Sequence, residues 1–326
     1  MMGSRFLIPI RQCSIQFGVA LISGISLIVA ALNFWVEKRQ LCKILKTSSS
    51  IEPSSALPTK EPRITIVIAT KNEARSIGQT MRNFENATVD KSLVEIIIVD
   101  VGSSDRTIDV AKASSGSIPV VFLKKIDDGK GRGSAINHGC TIASGNILLI
   151  LGSDCLVPPR YDEIIRKEFN DSNTLFAAFK LSSDKKASLS KAEPTGTWIL
   201  TQYFNFRSSL FWFPSAMQGL ILSSQTFKSH QFPDHVIMDD VALCLDIRST
   251  CLLFNLKFKL LSLPINLPTN RWDEAGALTW IVLDTIALFA FINLHLCPES
   301  VYHLFHEFLP KLREKYAHRN TSFERR

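Results

Sequence analysis

Short apolar runs alternate with amphipathic segments in the first half of the chain. Four of these runs are rich in β-branched residues or continuously apolar, which is typical of strands buried on both faces of a parallel sheet: Arg63–Thr70, Val94–Asp100, Val120–Leu123 and Gly145–Asp154. The segments between them show helical periodicity, at Ala74–Phe84, Arg106–Ser114 and Ser134–Ala143. Alternation of this kind predicts an α/β fold with a doubly wound, mostly parallel sheet.

Two of the predicted strands end in a carboxylate. Asp100 ends the second strand and Asp154 follows the fourth. Ligands of open parallel sheets bind outside the carboxyl ends of the strands, so Asp154 is placed where a metal ion and a phosphorylated substrate could be held. The alternative is an ordinary strand-ending Asp that caps the next turn.

An uncharged segment near the N-terminus, Phe17–Val36, predicts a membrane anchor, because about 20 apolar residues cross the hydrocarbon layer as a helix. A tail, residues 1–16, would precede it and a Ser- and Pro-rich linker, residues 37–62, would follow. A cleaved secretory signal and a plastid-type transit region are the alternatives. Basic residues after the segment favour a cytoplasmic location for the domain.

A second apolar segment, Gly276–Leu294, contains Asp284 near its middle. A carboxylate at the centre of a bilayer costs about 3 kcal/mol on insertion scales. We therefore expect a helix that lies at the membrane interface or packs on the domain, rather than one that spans. The predicted organisation is an α/β domain over residues 63–275 and a helical extension over residues 276–326.

Composition excludes several classes of protein. The chain of 326 residues carries a net charge of +7, and its basic residues are dispersed, which argues against nucleic-acid binding. Its 7 cysteines show no zinc-like spacing and are odd in number, which argues against a structural zinc site and a disulfide scaffold.

Short motifs occur in a characteristic order along the chain. They are Ile66–Glu73, Ile98–Thr107, Gly131–Gly139, the strand ending at Asp154, Gln218-Gly219, Met238–Leu243, Asn270–Trp272 and Cys297–Tyr302. This series resembles the family 2 glycosyltransferases of GT-A fold, and most closely the small, largely bacterial subgroup whose central motif has a single Asp. The resemblance implies transfer of a sugar, with inversion, from a nucleotide-sugar donor to a hydroxyl acceptor. The predicted anchor makes a lipid or a membrane glycan our expectation for that acceptor.

The resemblance also implies roles for particular residues. Asp154 would hold a divalent cation, Mn²⁺ or Mg²⁺, and Asp240 of the pair Asp239-Asp240 would be the general base. The donor would be bound by Thr70, Glu73, Asp100, Lys130, Arg132, Gln218, Arg271 and Trp272. Each role has a structural alternative. Asp239 and Asp240 could simply stabilise a helix N-terminus, and Lys130 and Arg132 could lie in a basic turn exposed to solvent.

Two positions depart from the family pattern. Gly152 replaces the first acid of the common two-carboxylate motif, and Met217 replaces the acid that usually precedes Gln218-Gly219. These departures motivate a second hypothesis, a catalytically silent relative that acts as a membrane-tethered binding or scaffold protein. A sugar-phosphate nucleotidyltransferase is a third, but Thr70-Lys71-Asn72-Glu73 is not the Gly-rich loop that it would need after the first strand.

Overall fold

The computed structural model describes residues 62–125, 131–171, 173–182, 194–235, 237–266 and 277–303. The predicted anchor, almost all of the linker and the end of the C-terminal extension lie outside the described residues.

A seven-stranded sheet forms the centre of the fold, in the order β3-β2-β1-β4-β6-β5-β7. Strands β3, β2, β1 and β4 pair in parallel, β6 is antiparallel to both β4 and β5, and β7 is parallel to β5. The predicted mostly parallel α/β sheet is therefore confirmed. The strands are β1 Ile64–Thr70, β2 Val94–Asp100, β3 Val120–Lys124, β4 Ile147–Leu151, β5 Thr174–Ser182, β6 Leu220–Ser223 and β7 Lys257–Asn266.

Helices cover the sheet, and those in the first half connect its parallel strands. Within the described residues they are α1 Ile77–Ala87, α2 Thr107–Ala113, α3 Gly131–Thr141, α4 Tyr161–Phe169, α5 Pro194–Phe211, α6 Ser224–Ser229, α7 Asp239–Phe254, α8 Ala277–Ile292 and α9 Pro298–His303. The predicted helices are present with shifted ends. The largest consequence is that α3 begins at Gly131 rather than Ser134, which places Arg132 in a helical turn instead of a loop.

The central strands have no polar face, because both faces of the sheet are covered. In β4, Ile147, Leu149 and Leu151 join one hydrophobic cluster, whereas Leu148 and Ile150 join the cluster on the opposite face. Alternate side chains of a strand point to opposite faces, so the unbroken apolar run fills two cores at once. The buried run ends with the strand at Leu151, and Asp154 follows three residues later, beyond its carboxyl end.

Helix α8 packs on the domain, as expected from the acidic residue in the apolar C-terminal segment. Asp284 accepts hydrogen bonds from Arg207 of α5 at 2.8 and 2.9 Å and from the Tyr203 hydroxyl at 2.7 Å. Trp280 and Ile281 pack against the core cluster that contains Leu200 and Phe204. No helix in the described part of the chain is long and apolar enough to cross a membrane.

Removal of residues 1–59 should leave the domain folded, because β1 begins at Ile64 and the cut crosses no described element. Circular dichroism and thermal unfolding of the truncated and full chains would check this. If residues 17–36 are the anchor, the truncated chain should also leave the membrane fraction. Retention in that fraction would assign the attachment to another segment, and loss of folding would contradict the boundary.

Candidate active site

A cleft of about 480 Å³ lies at the carboxyl ends of β1 and β4. Three walls surround it: the loops after these two strands, the N-terminal turns of α3 and α7, and the facing sides of α5 and α8. The cleft is the position at which an open parallel sheet binds its ligands. It is lined by residues that include Lys71, Glu73, Arg132, Asp154, Phe204, Arg207, Met217, Asp240, Trp280 and Asp284.

Asp154 lies on the strand-end wall, three residues after β4, and Glu73 lines the same wall after β1. No group of three or more His, Cys, Asp or Glu side chains that could hold a metal ion occurs among the described residues. A Cβ atom on Gly152 would come within 2.9 Å of Asp154 Oδ1, so an acid restored there would require Asp154 to move. The chain thus offers a divalent cation one carboxylate at this point. This fits Mg²⁺ or Mn²⁺ only if substrate phosphates and water supply most of the ligands.

Asp240 lies in the first turn of α7 and faces the cleft. Its Oδ2 accepts a hydrogen bond from the Ala216 backbone N–H at 3.2 Å, and its Oδ1 accepts one from the Val241 N–H at 2.9 Å. The carboxylate is therefore held in a fixed direction while it remains accessible from the cleft. Asp240 is therefore compatible with both predicted roles. Its side chain stabilises the N-terminus of α7, and it could also act as a general base that accepts a proton from a bound hydroxyl.

Asp239 is buried, does not line the cleft and pairs with Arg132, whose Nη2 lies 3.3 Å from Asp239 Oδ2. Burial raises the pKa of Asp239, and the neighbouring Arg132 opposes this effect. The two helix ends come this close because residue 133 is a glycine. A Cβ atom there would lie 2.8 Å from the Cβ of Phe232 and 3.2 Å from Asp239 Oδ2. The pairing presents Arg132 to the cleft beside Asp240.

Arg207 and Asp284 line the cleft opposite the strand ends, and our sequence analysis assigned neither to the site. The Arg207 side chain is 2% exposed, and its Nε donates to the Phe213 carbonyl at 3.0 Å. Burial alone would lower the pKa of Arg207, but Asp284 raises it, so the guanidinium stays charged. One signal in the sequence could have revealed the pair. Arg207 is the only charged residue between Trp198 and Phe213, and Asp284 is the only one between Gly276 and Leu294.

Thr70 and Asp100, predicted to bind the donor, are neighbours in the register of β1 and β2 but do not line the cleft. Both are buried. Asp100 accepts hydrogen bonds from the backbone N–H and the hydroxyl of Ser103. The structure thus shows Asp100 ordering the turn after β2, as the capping alternative for strand-end carboxylates describes.

Gln218 was predicted to bind the donor, but the structure does not place it in the cleft. Its side chain is completely buried behind the cleft wall. The amide oxygen accepts from Ser208 Oγ at 2.7 Å and from the Ser215 N–H at 3.0 Å, and the amide nitrogen donates to the Phe179 carbonyl at 3.2 Å. Gln218 therefore anchors the turn that carries Ala216, the residue that holds Asp240. The remaining predicted donor ligands, Lys130, Arg271 and Trp272, lie outside the described residues.

Comparison with known proteins agrees with the fold and the motifs. Residues 65–220 match the model of the family described as glycosyl transferase family 2. A probable glycosyltransferase of Bacillus subtilis, YdaM, is 33% identical over 96 residues, which are 28% of this chain and 23% of that protein. A dolichol-phosphate mannosyltransferase of Pyrococcus furiosus is 30% identical over 122 residues, which are 37% of this chain and 31% of that protein. The chain thus spans less than a third of the length of these relatives.

Solved structures show the same fold at low sequence identity. The mannosyltransferase PcManGT of Pyrobaculum calidifontis, in complex with GDP-Man and Mn²⁺, has a TM-score of 0.55 and 14% identity, and the match covers 90% of this chain and 81% of that one. S. aureus TarS 1–349 in complex with UDP has a TM-score of 0.50 and 15% identity, over 76% of this chain and 70% of that one. Residues 65–220 therefore match the glycosyl transferase family 2 model, and the sheet has the same GT-A-like fold as these two structures. The narrower single-Asp subgroup stays a prediction.

Replacement of Gln218 by Leu should destabilise the domain by about 1–3 kcal/mol, because the N–H of Ser215 and the carbonyl of Phe179 would lose their partner. Nucleotide affinity should change little, since the side chain does not reach the cleft. Chemical denaturation and nucleotide titration of the same preparations would check both points. If the variant had normal stability but strongly reduced nucleotide affinity, the predicted donor-binding role of Gln218 would be supported instead.

Proposed function

We propose that the protein transfers a sugar, with inversion, from a nucleotide-sugar donor to a hydroxyl acceptor in this cleft. The observation that carries the proposal is the joint placement of Asp154 at a strand end, Asp240 at a helix N-terminus and Arg132 in one cleft. The match of residues 65–220 to the glycosyl transferase family 2 model supports the same chemistry.

The donor diphosphate would lie between the strand-end wall and Arg132. Asp154 would hold a divalent cation, which would supply positive charge to the leaving diphosphate. Arg132 adds a planar fork of N–H donors that suits phosphate oxygens. Its pairing with Asp239 keeps the guanidinium in place in the absence of substrate.

The hydroxyl would attack from the side of Asp240. As its oxygen forms a bond to the anomeric carbon, its proton passes to the Asp240 carboxylate, and the bond from the anomeric carbon to the diphosphate breaks. The leaving diphosphate takes that electron pair, so charge and protons balance. The two backbone N–H groups on Asp240 hold the base in the direction that this proton transfer needs.

We further propose that the protein acts at a membrane, tethered by residues 17–36, with its domain on the cytoplasmic side. The uncharged N-terminal segment and the basic residues that follow it support this localisation. A lipid or a membrane glycan would be the acceptor that such a tether brings within reach.

Replacement of Asp154 by Asn should abolish cation-dependent nucleotide binding, because a neutral amide cannot balance the ion. Calorimetric titration with nucleoside diphosphates, in Mn²⁺ and in EDTA, would measure the loss. The control is Asp246→Asn, which removes a carboxylate that is 62% exposed and bonded to His230, outside the cleft. Equal affinities of wild type and Asp154→Asn under both conditions would contradict the assignment.

Replacement of Asp240 by Asn should lower the rate by about 10²–10⁴-fold, the usual contribution of a general base, and leave donor affinity nearly unchanged. Hydrolysis of a panel of nucleotide-sugars, with water as acceptor, gives a rate without knowledge of the natural acceptor. Asp239→Asn is the comparison, because it removes an adjacent carboxylate that faces Arg132 instead of the cleft. Full activity of Asp240→Asn would exclude this base. Donor binding by the wild type without any turnover would favour the silent relative.

A further inference from the structure

The cleft has two chemically different halves. Charged side chains of the strand-end wall and α3, Lys71, Glu73, Asp154 and Arg132, surround the half assigned above to the donor. The other half lies between α5 and α8, and we refer to it as the α5–α8 half. Its walls are largely apolar and include Phe204, Met217, Ile237, Trp280 and Ala287.

The charged groups that the structure describes in the α5–α8 half leave no excess of positive charge. Arg207 is matched by Asp284, which receives both of its hydrogen bonds from the guanidinium through Nη1. Asp240 adds a second carboxylate at the border of the two halves. Among the described cleft residues the only other cations are Lys71 and Arg132, both on the donor side.

We propose that the α5–α8 half is the acceptor subsite and that it selects an uncharged hydroxyl carried on an apolar group. The inference rests on the proposed glycosyl transfer and names the class of its acceptor. Among the described residues, a phosphate or carboxylate on the acceptor would meet Asp240 and Asp284 without a further cation in this half, and at short range like charges cost free energy.

The same groups suit a neutral hydroxyl. The Asp284 side chain is 20% exposed and faces the cleft, so it can accept a hydrogen bond from an acceptor hydroxyl in addition to those from Arg207 and Tyr203. Met217 lies where the family pattern has an acid, and its flexible thioether adapts to apolar ligands of irregular shape. Desolvation of an apolar carrier by Phe204, Met217 and Trp280 would supply most of the affinity.

Alkyl glucosides test the apolar part of the proposal on the full chain. Methyl, butyl and octyl β-D-glucopyranoside, titrated by calorimetry below their micellar concentrations, should bind with affinity rising about fourfold for each methylene group that enters the cleft. Met217→Leu should keep this dependence. Met217→Asp should weaken octyl glucoside binding about tenfold or more, because the alkyl chain would desolvate a carboxylate.

This matched pair of substitutions also distinguishes octyl glucoside binding in the cleft from binding to the N-terminal apolar segment. The segment is the same in both variants, so it cannot cause a difference between them. Both should retain nucleotide affinity, since the donor half is unaltered. Equal binding of the methyl and octyl compounds, or equal octyl affinity of Met217→Leu and Met217→Asp, would overturn the proposal.

Octyl phosphate tests the charge part. The wild type should bind it more weakly than octyl glucoside, and Asp284→Asn should reverse the order, because Arg207 loses the carboxylate that neutralises it. Tyr203→Phe removes one hydrogen bond to Asp284 and no charge, so it should keep the wild-type order. Tighter binding of octyl phosphate by the wild type, or by Tyr203→Phe and Asp284→Asn alike, would contradict the inference.

The experiments distinguish failure of the proposed glycosyl transfer from failure of the proposed acceptor class. A chain that binds octyl glucoside in the predicted manner but no nucleotide would reject glycosyl transfer, and with it the acceptor role. A chain that binds and turns over nucleotide-sugars but prefers octyl phosphate would keep the function and reject this acceptor class. If Asp284→Asn does not fold, the Met217 pair and the wild-type preference still decide.

Discussion

The ion pair between Arg207 and Asp284 determines the shape of the cleft. A buried guanidinium without a partner costs several kcal/mol, and removal of one member of such a pair typically costs about 3–5 kcal/mol, so the two helices that carry these residues must stay together. Because Arg207 also holds the Phe213 carbonyl, the pair links α5 and α8 to the segment that leads to Ala216 and Asp240. The buried Arg207 therefore holds together the wall of the cleft that lies opposite the strand ends.

The opposite side of the cleft depends on backbone geometry. Strands β1 and β4 pair in parallel, with Ile68 opposite Leu151, so both end at the same edge of the sheet, and this places Asp154 and Glu73 on one wall. Gly133 allows the first turns of α3 and α7 to approach each other, which presents Arg132 beside Asp240. The residues proposed to hold the metal, to bind the leaving group and to act as the base thus come from three elements that are distant in sequence and meet at one cleft.

Local signals predicted the strands and helices of the first half of the fold. The runs that became β1, β2 and β4 are apolar because both faces of the sheet are covered, and such runs can be recognised without a structure. Strands β5 and β7 are edge or near-edge elements with weaker patterns, and the sequence analysis did not identify them. Gln218 was misassigned because a motif gives the position of an amide but not the direction in which it points. Its three buried partners come from Phe179, Ser208 and Ser215.

Long-range pairing explains most of what the sequence could not reveal about the site. Asp284 was recognised as unfit for the middle of a bilayer, yet its partner Arg207 lies 77 positions earlier, in a helix with no other charge between Trp198 and Phe213. Two lone opposite charges in separate apolar helices have few ways to be buried other than against each other. The pair also gives a physical meaning to the departure at Met217. Once α5 and α8 supply a carboxylate to this half of the cleft, an acid at position 217 would add a further negative charge beside Asp240, whereas a thioether extends the apolar wall.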